Sequence, residues 1–369
     1  MDDEIICIGC GAKLQSDDPK QAGYLPASAL KKAQETEDTD VYCQRCFRLR
    51  HYNEIMPVDL NNDDFLALLN SLAEKKALVV NVVDLFDFSN SLLSSLKRFV
   101  GDNDFILVGN KFDLFPLNTC QSKIKDWMRQ EANRMGLHPK EIFLISAARQ
   151  KYLDDLIEYL NKASQKEDIY FVGMTNVGKS TLINAIIDKM GDIKDLITTS
   201  RFPGTTLDRI EIPLENGHYL ADTPGIMSQN QLATRLNPKD LESASPKKPL
   251  KPATFQIKPG NTIFLGGLGR IDFIKGDPAG FTVYAARAVT LHRTKTSNAD
   301  DFYQKHVAEM LTPPTGSDYL PPLKGQEYHT DFKSDLLFGG IGFVTVPANC
   351  VVKTYTPDKI GLGIRRALI

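Results

Sequence analysis

Short, unbroken apolar runs alternate with amphipathic stretches of helical spacing from residue 77 to residue 222. Ala77-Leu78-Val79-Val80-Asn81-Val82-Val83 and Asp104-Phe105-Ile106-Leu107-Val108-Gly109 are too short and too rich in branched residues for buried helices. Runs of this kind predict strands covered on both faces of a parallel sheet. Glu141-Ile142-Phe143-Leu144-Ile145 and Ile169-Tyr170-Phe171-Val172 predict two more. Helices are expected from a Ser89 cap to Phe99, over about 120–135, from Tyr152 to Lys162, and from Thr181 through Ile187. A hairpin of strands 208–213 and 217–221 is expected around Asn216-Gly217. Strands alternating with helices predict an α/β domain. Residues 237–260 read as a Pro/Lys-rich connector. Strands then dominate, at 262–266, 270–275, 281–285, 288–293, 341–346 and 350–355, with one helix from Ala299 to Leu311. Gly266-Gly267-Leu268-Gly269 and Gly339-Gly340-Ile341-Gly342 mark turns or bulges between them. The pattern divides the chain into residues 1–55, 56–236 and 237–369.

Composition sharpens this picture at two points. The net charge of the 369 residues is −2, but residues 1–55 hold 7 basic and 10 acidic side chains, whereas 230–369 hold 18 and 12. The C-terminal region is therefore the better place for a polyanion to dock. No apolar run reaches the length a membrane-spanning helix needs, and the acidic start Met1-Asp2-Asp3-Glu4 resembles no export signal, so a cytoplasmic protein without a membrane partner is expected.

Four of the six cysteines form two C-x-x-C pairs, Cys7/Cys10 and Cys43/Cys46. Each pair can wrap two thiolates around one ion, and together they complete a tetrahedral Cys₄ zinc site. Four protein ligands leave no open position, so the zinc is expected to be structural. A redox dithiol pair is the alternative reading, and the 32-residue spacer is longer than in a compact ribbon. Arg45, Arg48, Arg50 and His51 are expected on this module's surface, and Cys120 and Cys350 to be buried.

The chemistry sits at the predicted strand ends. Gly173-Met174-Thr175-Asn176-Val177-Gly178-Lys179-Ser180-Thr181 reads G-x-x-x-x-G-K-S between a strand and a helix. In that setting the glycines let consecutive N–H groups turn toward phosphate oxygens, the lysine reaches the β/γ-phosphates and the serine holds Mg²⁺. Asn110-Lys111-Phe112-Asp113 reads N-K-x-D. Its aspartate can accept hydrogen bonds from guanine N1–H and the 2-amino group, which adenine does not offer. Asn110 would tie loops together, Lys111 would lie along the base, and the small residues Ser146-Ala147-Ala148 would bring the Ala147 N–H to the base O6. Thr205 and Thr206 are candidate γ-phosphate-dependent Mg²⁺ ligands. In Asp222-Thr223-Pro224-Gly225, Asp222 would act on Mg²⁺ through water and the Gly225 N–H would sense the γ-phosphate. Each motif is weak alone. Jointly they specify a GTP/GDP site in a P-loop GTPase domain whose usual order is permuted: base contacts first, then phosphate loop, then switches.

With these motifs the chain resembles the circularly permuted GTPases of the YqeH type, which assist ribosome assembly. The resemblance implies a zinc module, a permuted GTPase domain and a mainly β C-terminal domain. It also implies GTP hydrolysis coupled to maturation of the small ribosomal subunit, with 16S rRNA as a partner of a monomeric factor. The C-terminal part resembles an RNA-binding domain like the tryptophan-operon attenuation protein, with Arg270, Arg287, Arg293, Lys295, Lys353, Arg365 and Arg366 as candidates for phosphate contacts. His292, His306 and His329 are expected to be solvated or capping. Ile226 stands where Ras-like enzymes place a water-orienting glutamine, which implies slow turnover. Asn176 matches GTPases that bind K⁺ beside the phosphates, which implies K⁺ stimulation. A signalling GTPase without RNA, or an RNA-binding protein with a vestigial nucleotide site, are the rival readings. Nothing resembles a haem- or flavin-binding oxidase.

Overall fold

The structure, a computed structural model, describes residues 5–7, 12–19, 21, 23–35, 41–52, 59–60, 75–93, 96–191, 210–214, 216–223, 225–226, 232, 235–316 and 320–369. Cys10, Thr205 and Thr206 lie outside the described residues. Two compact units result: residues 1–83, 92–110 and 132–227, and residues 84–91, 111–131 and 228–369.

The strands of the first unit are β1 (Asp59–Leu60), β2 (Ala77–Asp84), β3 (Phe105–Asn110), β4 (Ile142–Leu144), β5 (Asp168–Gly173), β6 (Ile210–Pro213), β7 (Tyr219–Asp222) and β8 (Gly225–Ile226). Six form a sheet in the order β4-β3-β2-β5-β7-β6, and β1 pairs with β8. The pairs β3–β4, β2–β5 and β5–β7 are parallel, and the hairpin β6–β7 is antiparallel. Val79, Val80, Val82 and Val83 of β2 and Tyr170, Phe171 and Val172 of β5 are fully buried, as two covered faces require. The strands carrying N-K-x-D and Ser146 thus precede the phosphate-loop strand in the chain, yet share its sheet. Helices Asp154–Ser164 and Lys179–Gly191 match the apolar spacing. The expected helix from Ser89 to Phe99 is instead two short pieces, Phe88–Ser91 and Leu96–Val100. The Ser91 hydroxyl accepts the Asp84 N–H (3.0 Å) and binds back to the first turn, which fixes a tight bend there.

The second unit holds β9 (Ala253–Ile257), β10 (Asn261–Leu265), β11 (Gly269–Lys275), β12 (Ala279–Ala285), β13 (Leu291–Lys295), β14 (Leu323–Thr330), β15 (Ser334–Phe338), β16 (Gly342–Val346), β17 (Cys350–Pro357) and β18 (Leu362–Arg366). They make two antiparallel five-stranded sheets, β13-β10-β11-β17-β14 and β18-β15-β16-β12-β9. Ile263, Ile271, Phe273 and Val352 from one sheet and Phe281, Val283, Leu336 and Val344 from the other share one core. The two glycine motifs sit at equivalent hairpins, β10–β11 and β15–β16, and a buried threonine–aspartate pair accompanies each. Thr262 Oγ donates to Asp272 (2.6 Å), and Thr345 Oγ donates to Asp335 (2.6 Å). An arginine completes each pair, Arg270 on Asp272 and Arg365 on Asp335. Phe302 and Tyr303 of helix Ala299–His306 stack on Phe264 beside the first triad. Phe115, Trp127 and Phe343 surround the Arg365 guanidinium in the second.

Several expectations for this unit are corrected. The connector contains a helix, Pro238–Ala244, capped by the Asn237 side chain on the Asp240 N–H (2.9 Å), and the strand β9. The helix at 299 stops at His306, and the strand expected at 288–293 lies at β13. Strands β9, β14, β15 and β18 were not expected. Arg270 and Arg365 are buried ion-pair partners and unavailable for phosphate contacts. His292 stacks face to face on Phe302 (4.4 Å), His306 tilts against the same ring, and His329 meets Glu327 (3.2 Å). Cys120 is exposed, whereas Cys350 is buried.

Asp335 is fully buried and also accepts the Leu368 N–H (3.2 Å). Removing it would strand the Arg365 charge among three aromatic rings. Asp335→Ala is expected to lower the unfolding free energy by about 3–5 kcal/mol, read as a fall in the urea midpoint.

Candidate functional site

The phosphate loop leaves β5 at Gly173, where a side chain would collide with the Val82 carbonyl of β2. Asn176 and Gly178 then take left-handed backbone, with φ of 64° and 88°. At Gly178 a Cβ would sit 2.3 Å from the Asn110 amide nitrogen, so the position requires glycine twice over. That amide is the clamp of the site. Asn110 Nδ2 donates to the Val177 carbonyl (2.9 Å), and Oδ1 accepts the Ala147 N–H (3.0 Å). One buried side chain therefore joins the end of β3, the phosphate loop and the loop after β4. The Ala147 N–H assigned to the base O6 is given to Asn110, so a base oxygen would have to share it. Ser146 and Ala147 are buried and Ala148 is exposed. Ser146 exchanges both backbone hydrogen bonds with Lys151 (3.0 Å each), which pins the loop.

Past the loop, Lys179 Nζ ion-pairs with Asp222 at the end of β7, and Ser180 Oγ donates to the other Asp222 oxygen (3.4 Å). All three side chains are buried. Burial pushes the Lys179 ammonium below the ordinary lysine range, and Asp222 opposes that shift. Thr223 Oγ1 anchors the D-x-x-G turn on the Phe171 carbonyl (2.7 Å), and Gly225 packs against Thr175. Asn176 is exposed. A lysine, a hydroxyl and a carboxylate thus meet at the N-terminus of helix Lys179–Gly191, the arrangement that serves a Mg²⁺-bound polyphosphate.

In the second unit, Lys111 has φ of 71° and opens the 3₁₀ turn Phe112–Leu114, which holds Asp113 half-buried. The Lys111 ammonium meets Asp84 at the end of β2. Sequence reasoning missed Asp84, although a carboxylate closing the apolar run at Val83 was the available signal. In the Cys module, Cys7, Cys43 and Cys46 are buried, with sulfur atoms within 4.8 Å of one another. The Cys43 N–H donates to Cys7 Sγ (3.2 Å), as happens around thiolate ligands. Arg45 is buried rather than on the surface.

Known proteins give this geometry its place. Residues 168–248 match the family model described as 50S ribosome-binding GTPase, and residues 278–368 match that described as YqeH-like, C-terminal. Over 372 aligned residues, covering 100% of both chains, the sequence is 45% identical to the uncharacterized protein YqeH of Bacillus subtilis. The chain belongs to the YqeH family. It is also 31% identical to NO-associated protein 1, chloroplastic/mitochondrial, of Arabidopsis thaliana, across 92% of this chain and 69% of that one. Identity to human Nitric oxide-associated protein 1 is 25%, across 99% and 75%. This YqeH-family chain carries a P-loop GTPase domain and a mainly β C-terminal region. Among the described residues, no helix is long and apolar enough to cross a membrane.

Next to Lys111 and Asp84, the second unit holds Asp87, whose Oδ1 accepts from Asn90 (2.8 Å). Burial first, and the Asp84 charge second, raise the Asp87 carboxyl to about 7. The folded chain then binds a proton that the unfolded chain releases near the ordinary aspartate value. Stability is therefore lost as pH rises from about 4 to about 7, by roughly 4 kcal/mol at most. Asp87→Asn is expected to flatten that dependence and to exceed the wild type in urea midpoint at pH 8, with little difference at pH 4.

Proposed function

We propose that this chain binds GTP with Mg²⁺, hydrolyses it to GDP and phosphate, and acts in the cytoplasm as an assembly factor for the small (30S) ribosomal subunit, meeting 16S rRNA. The observation that carries the reading is the convergence of Lys179 and Ser180 on Asp222, beside a phosphate loop clamped by Asn110. In a circularly permuted GTPase, the Ser180 hydroxyl and, through water, Asp222 would hold Mg²⁺, which would supply positive charge to the phosphates. The Lys179 ammonium would turn from Asp222 to the β- and γ-phosphates, and N–H groups of residues 174–181 would line the phosphate chain. Asp113 and Lys111 serve the base. Thr205 or Thr206 would add a hydroxyl to Mg²⁺ when the γ-phosphate is present, and the Gly225 N–H would sense that phosphate. Exposed Asn176 would offer its amide oxygen to K⁺, whose charge would offset that developing in the transition state. Without a glutamine at Ile226, intrinsic turnover is slow.

Cys7, Cys43 and Cys46, with Cys10, would hold a structural Zn²⁺; the buried thiols and the N–H donated to sulfur fit that ion. Exposed Arg287, Arg293, Lys295 and Arg366, with half-buried Lys353, remain the candidates for RNA phosphates. Register puts Lys353 opposite Asp272, and Arg293 opposite Ile263, on opposite faces of one sheet. A single RNA strand therefore meets one subset, not all five. The matching GTPase model is described by the 50S subunit, so the large subunit is the second reading of the partner.

GTP turnover in K⁺ and in Na⁺, with and without purified 30S or 50S subunits, tests the proposal. K⁺ over Na⁺ is expected to give about tenfold or more, and Lys179→Ala to remove at least about 100-fold. Stimulation by 30S particles alone is expected. Equal rates in both salts would remove the K⁺ role, and stimulation by 50S alone would move the partner to the large subunit. Equal turnover by wild type and Lys179→Ala would sink the GTPase reading.

A further inference from the structure

The hairpins β10–β11 and β15–β16 are one device used twice. Residues 262–273 and 335–346 align position for position, Gly-Gly-Leu-Gly on Gly-Gly-Ile-Gly. Each hairpin grips a segment from outside its own sheet. In the first, the Gly267 N–H donates to the Pro313 carbonyl (2.9 Å) and the Tyr303 hydroxyl to the Gly267 carbonyl (3.0 Å). In the second, the Gly340 N–H donates to the Phe86 carbonyl (3.0 Å), and a Cβ on Gly339 would sit 2.7 Å from Asp87 Oδ1. Beside it the Arg365 guanidinium lies over Trp127 (4.7 Å), Phe343 (5.0 Å) and Phe115 (5.7 Å). Its Nε reaches Asp335 (3.2 Å), while both Nη atoms are buried without a hydrogen-bond partner among the described residues, so ring faces receive them.

The segments gripped here are 84–91 and 111–131, and the second carries Lys111 and Asp113 of N-K-x-D. A single 3₁₀ turn that opens on a left-handed lysine does not hold its own shape. Both of its ends are tied to gripped residues. Lys111 pairs with Asp84. Phe115 closes the turn with an N–H donated to the Phe112 carbonyl (3.1 Å), and its ring stacks on Phe86 (4.6 Å) and Phe343 (6.0 Å). The Leu250 N–H, from the connector, donates to the Leu114 carbonyl (2.9 Å).

We propose that Arg365 of the C-terminal sheet is a positioning residue for guanine recognition: paired with Asp335 and stacked on Phe115, Trp127 and Phe343, it fixes the turn that presents Asp113 to the base. The inference rests on the GTPase reading above and deepens it. Arg365 acts through the turn and not on the nucleotide. A recognition group keeps its aim only where the residues behind it are locked by packing, and here that packing comes from β16 and β18. A lysine at 365 would keep a charge for Asp335 but offer the rings no flat face. The first triad supplies the contrast. Arg270 pairs with Asp272 and lies over Tyr355 (4.7 Å) and Phe264 (5.9 Å), rings of its own sheet.

Arg365→Lys, Phe343→Leu and Arg270→Lys in the full chain test the role, through affinities for GDP and for inosine diphosphate with Mg²⁺. Inosine lacks the 2-amino group, so the preference for GDP reports the hydrogen bond that Asp113 accepts from it. A ratio of two affinities does not change with the folded fraction, so a merely structural loss leaves it where it was. The wild type is expected to prefer GDP by about tenfold or more. Arg365→Lys and Phe343→Leu are expected to bind GDP about tenfold more weakly and to cut the preference to about twofold. Arg270→Lys is expected to keep both within about twofold of wild type. Phe343→Leu leaves the Arg365–Asp335 pair intact and decides the matter if Arg365→Lys does not fold. A wild-type preference in folded Arg365→Lys and Phe343→Leu overturns the positioning role and leaves the GTPase reading standing. An equal loss of preference in Arg270→Lys also overturns it, by assigning the effect to the β domain as a whole. A wild-type chain that binds no GDP, or binds both nucleotides equally, overturns the guanine reading together with the role.

Discussion

Everything at the phosphate loop depends on one amide. Asn110 closes β3, and its two polar atoms are spent on the Val177 carbonyl and the Ala147 N–H. The loop backbone is left-handed at Asn176 and Gly178; glycine takes that geometry freely, and at Asn176 the curl persists because neighbours over-determine it. The Asn110 side chain fills the space that any Cβ at Gly178 would occupy. The end of β3 and the phosphate loop are consequently joined, although 67 residues separate Asn110 from Val177.

The same logic of pairing governs the buried cations. Lys179 has Asp222, Arg270 has Asp272 and Arg365 has Asp335, and half-buried Lys111 has Asp84. Removing one partner from a buried pair costs far more than a surface pair contributes. The two triads of the C-terminal sheets are thus structural, and they withdraw two arginines from any nucleic-acid surface. The pair Lys179–Asp222 differs in kind, because Ser180 shares the carboxylate and a phosphate offers Lys179 a competing partner. Buried Arg45 of the Cys module leaves Nε and Nη1 without a hydrogen-bond partner among the described residues.

The parallel sheet was legible because its strands are covered on both faces and read as uninterrupted apolar runs. Ala77–Asp84 and Asp168–Gly173 are the clearest cases. The motifs at the ends of those strands were legible for the same reason, since a loop of fixed chemistry follows a strand of obvious pattern. What stayed hidden has a common cause. Strands β9, β14 and β18 are sheet edges, where half the residues face solvent and Leu323–Thr330 shows hardly any apolar alternation. β15 buries Asp335 among its apolar neighbours, so its pattern is broken by a residue that is internal only because Thr345 and Arg365 satisfy it. Basic residues were likewise judged by type. Arg45, Arg270 and Arg365 look like surface cations in a sequence, and only the third dimension reveals their burial.

The proposed GTPase activity needs a guanine-nucleotide site, in which Asn110 clamps the phosphate loop to the end of β3. Calorimetric titration of the full chain with GDP and with ADP, both with Mg²⁺, tests it most directly. GDP is expected to bind at least about 100-fold more tightly, because a carboxylate built to accept the guanine N–H groups is left unpaired against adenine. Equal affinity for the two nucleotides, or binding of neither, would contradict it.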